Sequence, residues 1–122
     1  MQKDDVVPLR HTLDAAKKAV SFLEGRRRED LEEDEMLGFA VVRLLEIIGE
    51  AAKLVSPELR EKHPEIPWSA MVGMRNRLIH GYFDVNYDIF RDTVKSDLPP
   101  VIDDLEHLVA ARRSGCEGDR SS

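Results

Sequence analysis

The stretch "MRNRLIHGYF", residues 74–83, holds the side chains best suited to chemistry. Arg75, Arg77 and His80 lie there without an acidic neighbour, although the chain has a formal net charge of -6. No Asp or Glu occurs anywhere in residues 66–83, although acids make up 24 of the 122 residues. Histidine can take or give a proton near neutral pH, and arginine offers a forked pair of donors to a phosphate. The stretch therefore predicts a local phosphate-attracting site on an acidic molecule.

The spacing within this stretch constrains how such a site could form. On one continuous helix, Asn76 and His80 share a face, but Arg75 and His80 are rotated by roughly 140°. The two would meet if the helix ended at His80 and Gly81 made a left-handed turn. They would also meet if Arg75 faced the histidine of a second copy across a two-fold axis. Tyr82 could then reach the same cleft.

A purely structural interpretation competes with this one, and the residues alone favour it. A histidine in the last turn of a helix can bond free carbonyls, and an arginine there could pair with Glu46 or Glu50. No residues show metal-ligand spacing, a glycine-rich phosphate loop or an activated serine. The remaining histidines are isolated and predicted to be surface or helix-end residues: His11, His63 and His107.

The bulk properties predict one domain in a reducing compartment. A chain of 122 residues can bury a core without disulfides, and Cys116 has no partner cysteine. The N-terminal "MQKDDVV" has two aspartates within its first five residues and no apolar run after Met1, which argues against a signal peptide. No apolar run in the sequence is long enough to span a membrane. We therefore expect a cytoplasmic protein that needs no metal or other cofactor.

Apolar periodicity predicts helices in the first half of the chain. Apolar residues recur at steps of three and four from Val6 to Leu23, and Gly25 is a plausible stop. A second, longer helix is expected from roughly Leu31 to Val55. Its apolar arc is so wide that it should be central to a bundle, or face both a core and a partner subunit. Gly49 and its neighbouring alanines would permit close helix approach.

The second half continues the helical pattern. Ser56 and Pro57 should begin a short helix, and "HPEIPW" should be a connector. A third main helix, "SAMVGMRNRLIH", is predicted to end at Gly81, followed by a turn, "FDVN", in which Asn86 caps the next helix. That helix should be broken or kinked at Pro99 and Pro100 and end near Arg112.

Together these elements predict an all-α bundle of four or five helices. No stretch has the alternation of a strand, and no internal repeat is present. Residues 1–112 should form the domain, and the polar residues 113–122 a flexible tail.

Beyond these patterns, "RNRLIHGY" resembles the signature of the HEPN superfamily and of its HepT-like branch. The branch motif is an arginine, four residues, histidine, one residue and tyrosine, which here are Arg75, His80 and Tyr82. Three longer blocks look like the same branch: "RLLEIIGEAAKLV", "PEIPWSAMVGMRNRLIHGYFDVN" and "DLPPVIDDLE". The resemblance extends from about residue 6 to residue 110.

The resemblance implies a helical homodimer whose two Arg–His motifs meet in one cleft. Proteins of this branch resemble toxins of type VII-like toxin–antitoxin pairs and act as metal-independent endoribonucleases. Arg75 and His80 would be catalytic, with Asn76 and Arg77 in support. The antitoxin would be a minimal nucleotidyltransferase that attaches AMP to Tyr82. The alternative is a non-catalytic helical module that only binds such a nucleotidyltransferase.

Overall fold

The chain folds as an α-helical bundle, as the sequence predicts. The structure, a computed structural model, describes residues 5–74, 79–80, 84–85 and 87–121, and side chains within 5–74 and 87–111. The described helices are α1 (Val6–Leu23), α2 (Arg28–Glu33), α3 (Glu35–Lys53), α4 (Pro57–Lys62), α5 (Trp68–Val72), α6 (Tyr87–Asp92) and α7 (Leu98–Ser121). The described strands are β1 (Ile79–His80) and β2 (Asp84–Val85).

The core lies where α1 packs against α3 and α7. The periodic apolar side chains of these helices point inward because residues three and four apart share a helix face. The largest fully buried core side chains include Leu9, Leu23, Leu31, Leu45, Ile48, Phe90, Leu98 and Leu105. An exposed ion pair, Lys17 Nζ to Glu106 Oε2 at 3.2 Å, also joins α1 to α7.

The ends of α1 follow from two local features. Gly25, just beyond the helix, has φ +72°, a left-handed conformation that favours glycine and confirms the predicted stop. At the other end, the buried Asp5 accepts hydrogen bonds from Ser56 N at 2.9 Å and Ser56 Oγ at 2.7 Å. This contact fixes the beginning of α1 to the junction between α3 and α4.

The predicted single helix from Leu31 to Val55 is wrong at its beginning, because the chain breaks at Asp34. Asp34 is extended, with φ -103° and ψ 93°, and separates α2 from α3. Its Oδ1 accepts a hydrogen bond from Leu37 N at 3.1 Å and so caps α3. The run of acids in this segment hid the break, because Asp within a helix and Asp at a helix start look alike in the sequence.

The chain between α3 and α5 behaves as the sequence predicts. Ser56 Oγ accepts from Leu59 N at 3.3 Å, and Pro57 is the first residue of α4. Residues 63–67, with their two prolines, are not helical. The indole Nε1 of Trp68 donates to His63 O at 2.9 Å across this connector and fixes the beginning of α5.

The predicted third main helix through His80 is wrong. Helix α5 ends at Val72, Gly73 is in a turn, and Ile79–His80 is a strand. It pairs antiparallel with Asp84–Val85, part of the segment predicted to be a turn. Strands of two residues are too short to show alternation, which is why no pattern in the sequence indicated them. The predicted cap Asn86 lies outside the described residues.

The last third of the chain is one continuous helical path. After α6, residues Thr93–Asp97 form a π-helical turn in which Leu98 N bonds to Thr93 O, and α7 begins at once. The helix therefore does not break at Pro99 and Pro100, where the sequence predicted a break or a kink. Both prolines lie in the first turn after the π-helical segment, and the wider bonding there accommodates their missing N–H groups.

The same helix also runs further than predicted. Its backbone is helical to Ser121, whereas the sequence pattern ended near Arg112. The domain boundary at residue 112 and the flexibility of residues 113–122 stay predictions.

Candidate functional site

The predicted site residues lie in residues 75–82, of which the structure describes only the backbone of 79–80. Arg75, Asn76, Arg77 and Tyr82 lie outside the described residues, and of His80 the backbone alone is described. Their catalytic, supporting and modified roles stay predictions, as does the competing arginine pairing with an acid of α3. The described residues on either side define how the chain enters and leaves this stretch.

The β1–β2 pair fixes the backbone of His80. In its register, His80 is the partner of Asp84 and Ile79 is the partner of Val85. His80 is therefore in an extended hairpin and not on a helix face shared with Asn76, so the 140° rotation calculated for one helix does not apply. The sequence interpretation missed Asp84, and the signal that could have found it is the short interval between His80 and Asp84, with a glycine in it.

The entry to the site is fixed by a close approach of α5 to α3. A Cβ placed on Gly49 would lie 3.1 Å from both Met71 O and Val72 O. Such a distance is closer than ordinary van der Waals contact, so only glycine permits this packing without a shift. Gly49 thus holds the end of α5, three residues before Arg75, against the middle of α3. The sequence predicted close helix approach at this position, and the structure confirms it.

The connector before α5 adds an electrostatic contact. His63 Nδ1 lies 3.2 Å from Glu65 Oε2 at the exposed edge of the connector. Hydrogen bonds from a backbone amide and from the His63 ring lower the pKa of the Glu65 carboxyl below its ordinary value. His63 and His107 each bond within their own segment, and His11 is exposed on α1, which agrees with their predicted structural roles.

The exit from the site is fixed by contacts between α6 and the α2–α3 region. Arg28 Nε donates to Asp88 Oδ1 at 2.5 Å, and Arg28 also pairs with Glu32. The hydrogen bond to Asp88 is the main reason that the pKa of the Arg28 guanidinium is raised. The ring of Tyr87 packs beside Gly38, with its hydroxyl oxygen 3.8 Å from a Cβ placed there. These contacts fix α6 against the α2–α3 region, and α6 begins two residues after β2.

A cleft of about 390 Å³ lies beside the entry to the site, between the α5 region and the π-helical turn. Met71 and Met74 contribute apolar surface, while Glu65, Asp97 and Asp104 bring three carboxylates. Carboxylates repel phosphate, so this cleft is unsuited to a nucleic-acid backbone.

Two properties of the described part of the chain bear on cofactors and membranes. No group of three or more His, Cys, Asp or Glu residues could hold a metal ion there. Among the same residues, no helix is long and apolar enough to cross a bilayer.

Comparison of the sequence with known proteins and protein families points to one family. The sequence model of the family described as "Ribonuclease HepT-like" matches residues 12–108, which include Arg75, His80 and Tyr82. No solved structure gives a significant match.

Individual relatives cover most of the chain. A protein of Methanocaldococcus jannaschii, provisionally named as the RNase MJ1380, is 38% identical over 87% of this chain and 98% of its own length. One of Caldanaerobacter subterraneus subsp. tengcongensis, provisionally named as the RNase TTE0752, is 40% identical over 83% of this chain and 90% of its own. The "Probable ribonuclease HepT" of Thermococcus cleftensis is 42% identical over 75% of this chain and 86% of its own.

Proposed function

The chain belongs to the HepT-like ribonuclease family, and from this premise we propose that it is an endoribonuclease that acts through Arg75 and His80. The observation that carries the proposal is the family match over residues 12–108, which spans an intact Arg–His–Tyr motif. The relatives named as RNases support the same reaction class.

The proposed reaction uses the nucleophile that RNA itself provides. The 2′-oxygen attacks the neighbouring phosphorus, the bond from phosphorus to the 5′-oxygen breaks, and a 2′,3′-cyclic phosphate forms. His80 takes the 2′-hydroxyl proton or delivers one to the leaving 5′-oxygen, as an imidazole can near neutral pH. Arg75 donates to the phosphoryl oxygens as charge develops on them. Asn76 and Arg77 support the site by orienting the ring or binding phosphate.

The experiment is RNA cleavage by the purified protein in EDTA. We expect Arg75→Ala and His80→Ala to lower the rate at least about 100-fold, the range expected for loss of an acid–base group or a charge-stabilising donor. Arg10→Ala and His11→Ala are matched controls, because both side chains are exposed on α1. Cleavage that persists unchanged in the Arg75 and His80 variants, or is lost in EDTA, would contradict the mechanism.

The second part of the proposal concerns regulation in a type VII-like toxin–antitoxin pair. A minimal nucleotidyltransferase antitoxin would transfer AMP from ATP to the Tyr82 oxygen, with pyrophosphate as the leaving group. The added phosphate brings bulk and negative charge to the place where the RNA phosphate must bind. The modification would therefore silence cleavage.

Tyr82 can be tested against the one other tyrosine of the chain, Tyr87. With the nucleotidyltransferase and ATP, Tyr82→Phe should gain no AMP by intact-mass spectrometry, whereas Tyr87→Phe should be modified and silenced like the wild type. Tyr82→Phe should also still cut RNA. Modification of Tyr82→Phe would place the acceptor elsewhere.

One observation favours a second candidate, a non-catalytic module that binds the nucleotidyltransferase. Met36 and Phe39 on α3 are 81% and 71% exposed, which suits a protein partner. This candidate predicts tight complex formation by a protein that never cuts RNA. Cleavage that depends on Arg75 and His80 rejects it.

A further inference from the structure

The cleft between the α5 region and the π-helical turn has the size of a small-molecule site, at about 390 Å³. Much of its surface is apolar. Met71 and Met74 line it on the α5 side, and Leu98 and Val101 line it on the α7 side. Methionine is a flexible side chain that adapts to ligands of irregular shape. The cleft can therefore hold the apolar part of a small ligand.

Carboxylates give the same cleft a negative charge that the fold does not neutralise. Glu65, Asp97 and Asp104 line it, whereas no lysine, arginine or histidine of the described residues does. Glu65 has one ion-pair partner in the described part of the chain, His63, at 3.2 Å. Asp97 and Asp104 make no ion pair there. Because neighbouring negative charges repel one another, the cleft favours a cationic ligand.

The carboxylates are arranged for an extended cation and not for a metal ion. A calcium or magnesium ion needs several oxygens around one centre, and no group of three or more acidic, histidine or cysteine residues in the described chain could hold one. Asp97 and Asp104 are seven residues apart, about 10 Å along the chain by helical rise, with Val101 between them. Acid, apolar surface and acid thus follow one another, which matches ammonium groups joined by methylene chains.

Thr93 adds a buried hydroxyl without a partner to this cleft. Thr93 is 2% exposed and lines the cleft. The hydroxyl of Thr12, the other fully buried threonine of the described residues, donates to Pro8 O at 2.8 Å, but that of Thr93 makes no hydrogen bond to a described residue. An unsatisfied buried hydroxyl destabilises the fold unless a ligand supplies the missing partner. An ammonium group in the cleft can donate to its oxygen.

We propose that this cleft binds a linear aliphatic polyamine. Its ammonium groups pair with Asp97 and Asp104 and donate to the Thr93 hydroxyl, and its methylene chain lies against Met71 and Met74. One side of the cleft leads into residue 75 and the other follows α6, so a bound polyamine joins the segments that enter and leave the predicted catalytic stretch. The inference does not rest on the proposed ribonuclease activity, because the cleft lies outside the Arg–His motif.

Calorimetric titration of the purified, RNA-free protein with spermidine, a linear triamine, tests the site. We expect saturable binding of one spermidine per chain. Asp104→Asn should weaken it roughly 10-fold, the range expected for loss of a hydrogen bond to a charged group. Asp103→Asn is the matched control, because it makes the same charge change at an exposed position that does not line the cleft. Spermidine that binds both variants equally would overturn the site, since the attraction would then be to the acidic molecule as a whole.

Thr93→Val separates a ligand contact from a structural role. Valine keeps the shape of the side chain and removes a hydroxyl that has no partner, so the Tm of the empty protein should not fall. Its affinity for spermidine should nevertheless fall, and the rise in Tm that spermidine gives the wild type should shrink. A Thr93→Val protein that is destabilised when empty and binds spermidine like the wild type would contradict the role of the hydroxyl.

A change without charge tests the cavity itself. Ala70→Leu fills part of the cleft and should abolish binding while helical circular dichroism stays unchanged. Spermidine that still binds this folded variant would overturn the site, as would equal displacement by magnesium at matched ionic strength. A lysine pentapeptide that binds more tightly than spermidine, and depends on Asp104, would overturn the small ligand and assign the cleft to a basic protein segment.

Discussion

His80 and Asp84 are direct partners in the antiparallel pair formed by β1 and β2. Residues directly opposite in such a pair place their Cβ atoms about 4.5–5.5 Å apart on the same face of the ladder. The histidine that is predicted to move the proton therefore has an aspartate as its partner in the backbone register. Helical spacing would have placed Asn76 there instead.

We predict that Asp84→Asn changes the pH dependence of RNA cleavage. Residue 84 is the register partner of residue 80, and a carboxylate close to an imidazole favours the protonated ring. Removal of the Asp84 charge should therefore move the limb governed by His80 toward lower pH, by up to about one unit. The measurement is kcat/KM across the range from weakly acidic to weakly basic pH. Asp92→Asn on α6 is the control, since it makes the same charge change at an exposed position. Superimposable profiles for Asp84→Asn and the wild type would exclude this influence.

The close contact at Gly49 gives a stability prediction. Gly49→Ala would bring a Cβ to 3.1 Å from two backbone carbonyls, which cannot move without shifting α5. We expect a loss of about 1–3 kcal/mol in unfolding free energy, as for other overpacked sites, and slower RNA cleavage. Gly73→Ala is the control, because its Cβ would meet only Ser69 O, at 3.5 Å. Equal urea midpoints for the two variants would contradict the packing argument.

The hydrogen bonds between Asp5 and Ser56 give a second prediction about stability. Asp5→Ala leaves Ser56 N without its charged acceptor and should cost about 1–3 kcal/mol of unfolding free energy. Ser56→Ala removes the hydroxyl bond and the cap of α4. A double-mutant cycle should show that the two costs are not additive. Additive costs would mean that the two residues act separately.

Glu65 gives a prediction about pH and stability. Its pKa is lowered in the folded protein, mainly by a backbone hydrogen bond and then by His63, so the ionised form favours folding. That contribution is fully present above the unfolded value of 4.5 and is lost as pH falls through the lowered folded value. The Tm of Glu65→Gln should therefore lie below that of the wild type at neutral pH and approach it under acid conditions. A difference that grows in acid would contradict the sign.

The parts of the fold that could be predicted from sequence are those set by local chemistry. Gly25 ends α1 because it takes a positive φ, and Ser56 with Pro57 begins α4 through a side-chain cap. The periodic apolar residues of α1 and α3 are buried as predicted. Each of these features depends on residues within about one helical turn, so the sequence pattern alone contains the signal.

The parts that could not be predicted depend on partners distant in sequence or on very short elements. The acidic residues around Asp34 suit a continuous helix as well as a helix start, so the sequence does not show the break there. The strands of the β1–β2 pair are each two residues long. Arg28 and Asp88 meet across sixty positions of the chain. For the candidate site, residue types and spacing indicated phosphate chemistry, and the resemblance assigned roles. The extended backbone at His80 required the structure.

The uninterrupted path from α6 through the π-helical turn into α7 has a mechanical consequence. Residues 87–121 form one continuous helical path, with a contour of about 50 Å by helical rise, that starts two residues after β2. Along such a path, a small tilt at one end becomes a larger displacement at the other. A fluorophore attached to Cys116, the one cysteine of the chain, would therefore report a rearrangement of the β1–β2 pair, which contains His80, as a change in its own position.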